Sequence, residues 1–500
     1  MFKKLVCVIL FVALNSVVSA ATSGSKPPNF LIILTDDQRV DTLTPEFMPK
    51  TWKKIVQQGI LFENAFVTTP LCCPSRASIL TGTLARHHGV LRNVTNSNRA
   101  EFADMNHFPE DLKNSGYFTG LVGKFLNSWK GPWRGRRKDE FDYWAAVNLS
   151  KDQYPYFNFD LYLNSQVIQY RCADPPLEGC EYITDELLRY SSMFLRQAVD
   201  SGRPFLLYFA PNAPHDPSTP APRHAGLYAD FPAYRPPSFA ESDLSDKPHW
   251  IQDAAWIPRD SEGQPYMEAG IQEEIDSSRL SQLRSLAAVD EAVDTMLEML
   301  KDEGVLGNTV ILFTSDNGFY WGEHFLEGKN APYEEGIRVP FAIRYPPLIP
   351  TGSPQINTKH MVANIDIAPT IYELAGIPIP DQIEGKSLVP LFSNDEAPWR
   401  KWLFFEGWPD RPGDIGDPDQ CRPPFRAIRG RKYIYIRYDS NTGTGAPCVF
   451  DVPDDPELYN LQSDPYQLNN IAADPRYRKI RDRFEKRLSA YPKVDAPLYW

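Results

Sequence analysis

Positive charge is in short supply in this chain. Against 64 Asp and Glu stand 52 Lys and Arg, a formal net charge of −12 over 500 residues. That balance excludes nucleic acid as the main partner, and it means that an anionic substrate must be drawn in by a local basic site rather than by the overall field. Long apolar runs are missing too. Past the N-terminal segment none is long enough to span a bilayer, so no transmembrane anchor is expected and the mature chain is expected to be soluble. Cysteine is sparse, at 7. What is abundant argues against disorder: 46 prolines, nearly twice the usual share, accompany 13% aromatic and 42% hydrophobic residues, a composition of ordered loops around a core. The length suffices for a large core, or for a main domain with a smaller one appended.

The N-terminus has the order of a secretory signal peptide: Lys3-Lys4, an apolar run from Leu5 to Leu14, then Val18-Ser-Ala20-Ala21. Residues 1–20 are read as this leader, with cleavage after Ala20 or Ala21. Removing Cys7 from the seven cysteines leaves six. Cys172 with Cys180 and Cys421 with Cys448 each bracket a turn-rich segment and are expected as disulfides in an oxidising compartment. Cys72 and Cys73 remain, and a vicinal bridge between them would be strained. Asn93-Val-Thr95 and Asn148-Leu-Ser150 are glycosylation acceptors in a eukaryotic host.

Apolar runs at Phe30–Thr35, Tyr117–Val122, Phe205–Phe209 and Thr309–Thr314 predict strands buried on both faces, and Phe62–Val67 a shorter one. Helical patterns fall between them, at 49–59, 108–115, 183–199 and, most clearly, 280–300, where Leu283, Leu286, Val293, Leu297 and Leu300 share a face. Proline-dense residues 217–260 read as an ordered surface excursion. The alternation predicts an α/β fold with a mostly parallel central sheet flanked by helices. Short strand patterns after Pro398, an Arg429-Gly-Arg431 hairpin turn and a terminal helix near 475–488 predict a smaller antiparallel subdomain over 399–500, appended to a main domain over 27–398.

Ligands of such sheets bind beyond the C-terminal strand edge. Asp36, Asp37, Lys124, His215, Asp316 and Asn317 all come after strand patterns and are placed there. Their oxygen donors suit a hard cation, calcium or magnesium, and three carboxylates converging without one would repel. The plainer reading makes these acids helix caps or turn formers. Arg76, Lys124, Lys329 and His215 suit a tetrahedral anion, though a single Lys or His is more often a surface or core residue. Residues 70–82, Pro-Leu-Cys-Cys-Pro-Ser-Arg-Ala-Ser-Ile-Leu-Thr-Gly, read as an anion-binding helix start carrying a thiol, or more plainly as a buried helix entry with structural cysteines.

Cys72-Cys-Pro-Ser-Arg76 followed by Leu80-Thr-Gly82 resembles the sulfatase signature Cys-x-Pro-Ser-Arg with its Leu-Thr-Gly extension. Asp36-Asp37, Gly123-Lys124, Ala213-Pro-His215, Ser315-Asp-Asn-Gly318 and Gly328-Lys329 accompany it in the family's order. The resemblance implies an alkaline phosphatase-like fold and hydrolysis of sulfate esters in a secreted or lysosomal enzyme. It also implies a Cys72 oxidised to formylglycine by the formylglycine-generating enzyme, whose gem-diol attacks sulfur, and one calcium per chain held by Asp36, Asp37, Cys72, Asp316 and Asn317. By the same resemblance Arg76 orients the gem-diol, Lys124 and Lys329 hold sulfate oxygens, His215 faces the leaving oxygen, and His324 joins the substrate-binding set. Cys73 fills the variable position. Many arylsulfatases carry a histidine two residues after this lysine, where Leu126 stands here; Gly123-Lys-Phe-Leu-Asn127 is similar instead to the N-acetylglucosamine-6-sulfatase branch. His87, His88 and Asn127 are then candidates for roles nearby. The substrate implied is a sulfated carbohydrate, such as 6-sulfated N-acetylglucosamine of glycosaminoglycans, attacked from a chain end, since the long basic insertion of endosulfatases is missing. A broad arylsulfatase, a phosphonate or phosphate monoester hydrolase on the same fold, and a catalytically silent glycan-binding protein are the alternatives.

Overall fold

A computed structural model describes residues 26–93, 102, 104–127, 140–148, 156–172, 179–394, 396–409, 422–440 and 455–494. The expected leader, the Cys421 and Cys448 pair, Thr95 and Ser150 lie outside these residues. Ten strands form one sheet: β1 (Asn29–Thr35), β2 (Ile60–Phe62), β3 (Phe118–Gly123), β4 (Tyr143–Val147), β5 (Asp160–Leu163), β6 (Gln166–Gln169), β7 (Phe205–Ala210), β8 (Thr309–Ser315), β9 (Phe341–Arg344) and β10 (Gln355–Asn357). They lie in the order β10-β2-β9-β8-β1-β7-β3-β4-β5-β6. The central run β8-β1-β7-β3-β4 is parallel throughout. Strands β9, β5 and β6 are antiparallel to their neighbours.

The continuous apolar sequence of β1 is explained by its position. Phe30, Ile32 and Leu34 enter one core while Leu31 and Ile33 enter the other, as the two-residue period of a strand requires. The first core is covered by α1 (Cys72–Thr81) and the second by α2 (Ile183–Asp200) and α3 (Ala269–Asp302). Helix α4 (Ile367–Ala375) joins α1 on the first face.

Several expectations are corrected. The helix expected at 280–300 begins at Ala269. The strand expected at 62–67 is two pieces, β2 and Ala65–Phe66, the latter pairing with Val362–Ala363. Residues 217–260 take the expected irregular course, with only short turns of helix at Pro222–His224 and His249–Gln252. Cys172 and Cys180 form the expected disulfide.

Beyond residue 398, β11 (Leu403–Gly407), β12 (Phe425–Arg429), β13 (Tyr433–Tyr438) and β14 (Glu457–Asn460) form an antiparallel sheet in sequence order. Helix α5 (Arg478–Leu488) packs Phe484 and Leu488 against it. This third core is shared with Phe66, Tyr320 and Tyr333 from the larger part of the chain. Among the described residues no helix is long and apolar enough to cross a membrane.

Candidate active site

The parallel strands bring their C-terminal ends to one edge, and hydrogen bonds made by the backbone hold the residues just past those ends in place. The amide of Asp37 donates to Asp316 Oδ1 at 3.1 Å, that of Gln38 to Ser315 Oγ at 2.8 Å, and that of Asp316 to Thr35 O at 3.2 Å. The ends of β1 and β8 are therefore one rigid unit. Lys124 comes directly after β3, its amide donating to Ala210 O at 2.7 Å. Gly123 allows this approach: its φ is +114°, and a Cβ there would lie 2.0 Å from Ala210 O.

Helix α1 arrives from the other side. Pro74 sits in its first turn and Gly82, with φ 70°, ends it in the left-handed conformation. All ten of its residues are buried, Cys72 among them, while His215 beside it is half-buried. Its Sγ lies 3.2 Å from Lys329 Nζ, 3.5 Å from Asp36 Oδ1 and 3.9 Å from Asp37 Oδ1. Lys329 also donates to both Asp37 oxygens at 2.7 Å, and Lys124 Nζ to Asp36 Oδ2 at 2.6 Å. Arg76 spans the unit, donating from Nε to Asp316 Oδ2 at 2.7 Å and from Nη1 to Lys124 O at 2.9 Å. Asn317 Nδ2 donates to Asp37 Oδ1 at 2.7 Å. His215, between cis peptide bonds at Ala213–Pro214 and Asp216–Pro217, turns Nε2 to within 3.5 Å of Asp37 Oδ2. Its Nδ1 lies 2.7 Å from the Asp216 carbonyl, which makes Nδ1 the donor and leaves Nε2 for the site.

The electrostatics are set by burial and pairing. Burial alone would raise Asp36, but Lys124, His215 and Arg76 outweigh it and hold the carboxyl at about 2. Asp37 is also lowered: burial raises it, and Lys329 and His215 overcome the rise. Burial pushes the Cys72 thiol well above its ordinary range, against the pull of both lysines, so unmodified Cys72 is a poor nucleophile. His215 is lowered by burial and by Lys329. Three carboxylates face three basic side chains here, which offset the acids' mutual repulsion. A divalent cation still fits. Asp36, Asp37, Cys72 and His215 offer ligand atoms all within 4.8 Å of one another, and Asn317 Oδ1 is a buried acceptor with no hydrogen bond, the kind of oxygen a hard cation takes. Such a cation would leave the site positive toward an anionic ester.

Other expected residues lie elsewhere. His324 is fully buried with Nδ1 2.6 Å from Glu241 Oε1 and its ring against Tyr333, and it makes none of the cluster's contacts. His87 pairs with Glu384 on the surface, and His88 is buried against Ser78 Oγ at 3.0 Å. Asn127 comes nearest, its amide donating to Cys73 Sγ at 3.0 Å. Leu126 is in the apolar core. Asn93 is 4% exposed and its Oδ1 accepts from the Cys73 amide at 3.0 Å, so the folded chain does not present it as the exposed amide a glycan needs. Asn148 is half-buried. Ser315, quoted from the sequence only as part of its motif, ties β8 to β1 through its hydroxyl, and Tyr156, which the sequence reading did not single out, donates its hydroxyl to the His215 carbonyl at 2.7 Å. No motif flagged Tyr156, because its partner is a backbone atom far along the chain.

A family model described as Sulfatase matches residues 28–377. The chain belongs to the sulfatase family. It is therefore a sulfuric ester hydrolase. A second model, N-sulphoglucosamine sulphohydrolase, C-terminal, matches residues 322–493 of this sulfatase. It is 31% identical to the N-acetylglucosamine-6-sulfatase of Capra hircus, over 91% of this chain and 82% of that one, and 30% identical to the Homo sapiens enzyme of that name, over 91% and 83%. An extracellular sulfatase SULF-1 homolog of Drosophila melanogaster is 32% identical over 78% of this chain, which spans only 33% of that protein's length. Among solved structures, one in complex with its substrate D-glucosamine-2-N,6-O-disulfate superposes with a TM-score of 0.76 at 25% identity, covering 93% of this chain and 97% of that one. A phosphonate monoester hydrolase from Silicibacter pomeroyi, with a TM-score of 0.68 and 21% identity over 93% of this chain and 95% of that one, shares the fold.

Proposed function

We propose that this sulfatase removes the 6-sulfate from N-acetylglucosamine or glucosamine at glycan ends, acting in the secretory pathway, lysosome or extracellular space. The observation that carries the reading is the cluster around Cys72, in which two buried lysines and an arginine are committed to the acids that flank the thiol. Nothing in the packing of a core calls for six buried charges, whereas an anionic ester meeting a cation does. The relatives named for 6-sulfated glucosamine narrow the substrate.

Cys72 is the residue assigned to conversion into formylglycine by the generating enzyme, which would supply the hydrated aldehyde oxygen as nucleophile. Asp36, Asp37, Asp316, Asn317 and residue 72 would hold one calcium, which would supply positive charge against the sulfate oxygens. Lys124 and Lys329, paired here with Asp36 and Asp37, would be available to sulfate oxygens where those carboxylates held a cation instead. Arg76 fixes Asp316 and the Lys124 backbone. His215, with Nδ1 donating to a carbonyl, turns Nε2 toward the place of the leaving oxygen. With Leu126 in the core, Asn127 beside Cys73 is the polar group nearest the position where related enzymes place a histidine.

Incubation with 6-sulfated N-acetylglucosamine and with an aryl sulfate tests the proposal. Sulfate release from the sugar, with a higher kcat/KM than from the aryl ester, is expected. Release from neither, by protein carrying formylglycine at 72, refutes it. Faster cleavage of phosphorus esters than of sulfates supports the phosphonate hydrolase reading instead.

A further inference from the structure

Helix α5 carries a charge that its packing does not explain. Six of its eleven residues are Lys or Arg against Asp482 and Glu485, in a chain whose net charge is −12. Helical spacing sorts them: Phe484 and Leu488 face the core, while Arg483, Lys486 and Arg487, at intervals of three and four, share another face. The acids are turned elsewhere, Glu485 accepting from Tyr435 at 2.7 Å and Arg437 at 3.2 Å, and Asp482 from Arg481 at 3.3 Å. The basic face opens on a groove of about 510 Å³ whose floor is Trp402, Phe404 and Tyr491, with no acidic residue in its lining. Arg487 lies 4.3 Å over the half-buried Trp402 ring.

The patch continues around the edge of the sheet. Gly430, in the hairpin between β12 and β13, rests on Trp402 so closely that a Cβ would meet the indole at 3.1 Å. Past that hairpin a second groove, about 480 Å³, is lined by Arg338, Arg431 and Lys432, its one acid, Glu334, already paired with Arg429 at 2.7 Å. Lys401, Arg431, Lys432, Arg483, Lys486 and Arg487 are all exposed. None of them has an ion pair among the described residues. Six exposed cations without ion pairs at one end of a sheet repel one another, a field that a polyanion would offset.

We infer that this surface, anchored by Trp402, Arg483, Lys486 and Arg487, is a second, non-catalytic site for a sulfated polysaccharide chain. Guanidinium forks match sulfate oxygens, and the Trp402 indole, with Arg487 over it and Gly430 against it, holds those forks in place at the surface. The patch lies at the Leu403 and Arg429 end of β11 and β12. The other end leads to Trp408, whose carbonyl accepts at 2.8 Å from Asn330, the residue after Lys329. Along β11 the two ends are about 13 Å apart, so a polymer held at the patch is kept near the catalytic cluster without entering it. The choice of ligand rests on the proposed function.

The test measures binding of a fluorescent heparin oligosaccharide to the full chain at low and moderate salt, beside hydrolysis of a 6-sulfated monosaccharide by the same samples. Arg483→Ala, Lys486→Ala and Arg487→Ala together are expected to weaken heparin binding at least about tenfold and to reduce its salt dependence, with monosaccharide hydrolysis unchanged. Lys401→Glu with Arg431→Glu, outside the helix, is expected to do the same if the triple variant folds poorly. Wild-type heparin affinity in both variants overturns the inference, as does tighter binding of the native chain to single-stranded DNA or phosphatidylserine vesicles than to heparin. Binding needs no turnover, so a wild type that released no sulfate would count against the proposed function alone.

Discussion

Cys72 and Cys73 adjoin in sequence and differ in every contact. Cys72 faces Lys329 and the two acids, whereas Cys73 is held by Asn127 and lies beside Asn93. Cys72→Ala is therefore expected to abolish sulfate release, while Cys73→Ala keeps most of it. Because the ion pairs around it do not depend on the thiol, Cys72→Ala removes one sulfur from a cluster that otherwise remains, and chemical denaturation should show a loss of no more than about 2 kcal/mol. A much larger loss would make Cys72 structural. Asn317→Ala removes the one buried oxygen of the cluster without a hydrogen bond. Calcium affinity measured by calorimetry should fall, and an unchanged affinity would remove Asn317 from the ligand set.

The elements carry two further expectations. Gly123→Ala forces a Cβ against the Ala210 carbonyl at a φ few side chains adopt, and should cost about 2 kcal/mol or more while displacing Lys124. His88 links the turn after α1 to the helix itself. Its Nδ1 accepts from the Val90 amide at 3.1 Å and its Nε2 lies 3.0 Å from Ser78 Oγ, an arrangement that holds the ring neutral. Burial, with His107 and His87 nearby, lowers it from 6.5 to about 3. The unfolded chain takes up a proton near pH 6.5 that the folded chain refuses, so this contribution is intact above pH 6.5. It falls by about 1.4 kcal/mol per pH unit below that. Denaturation midpoints in His88→Gln should lose less on acidification, and an identical pH slope would contradict the assignment.

At the level of the whole molecule, the apolar strands Phe30–Thr35, Phe205–Phe209 and Thr309–Thr314 announced the parallel centre because both of their faces are buried, and the polar residues after them announced the site. Edge strands such as Gln166–Gln169 carry no such pattern, since one face meets water and packing decides the rest. The ties within the site were equally hidden: that Arg76 would bind Asp316 and the Lys124 backbone depends on residues far apart in the chain. Binding of calcium at a hundredfold excess over its Kd should add about 2.7 kcal/mol to the stability of the chain. Chelation should therefore lower the denaturation midpoint and halt sulfate release, and a midpoint insensitive to chelator would argue that the ion pairs alone hold the cluster. The most direct measurement is the mass of the peptide carrying residues 70–76, from protein made in cells that contain the generating enzyme. An aldehyde at position 72 beside an intact thiol at 73 is expected; two unmodified cysteines in protein that hydrolyses sulfate esters would contradict the reading of Cys72 as the source of the nucleophile.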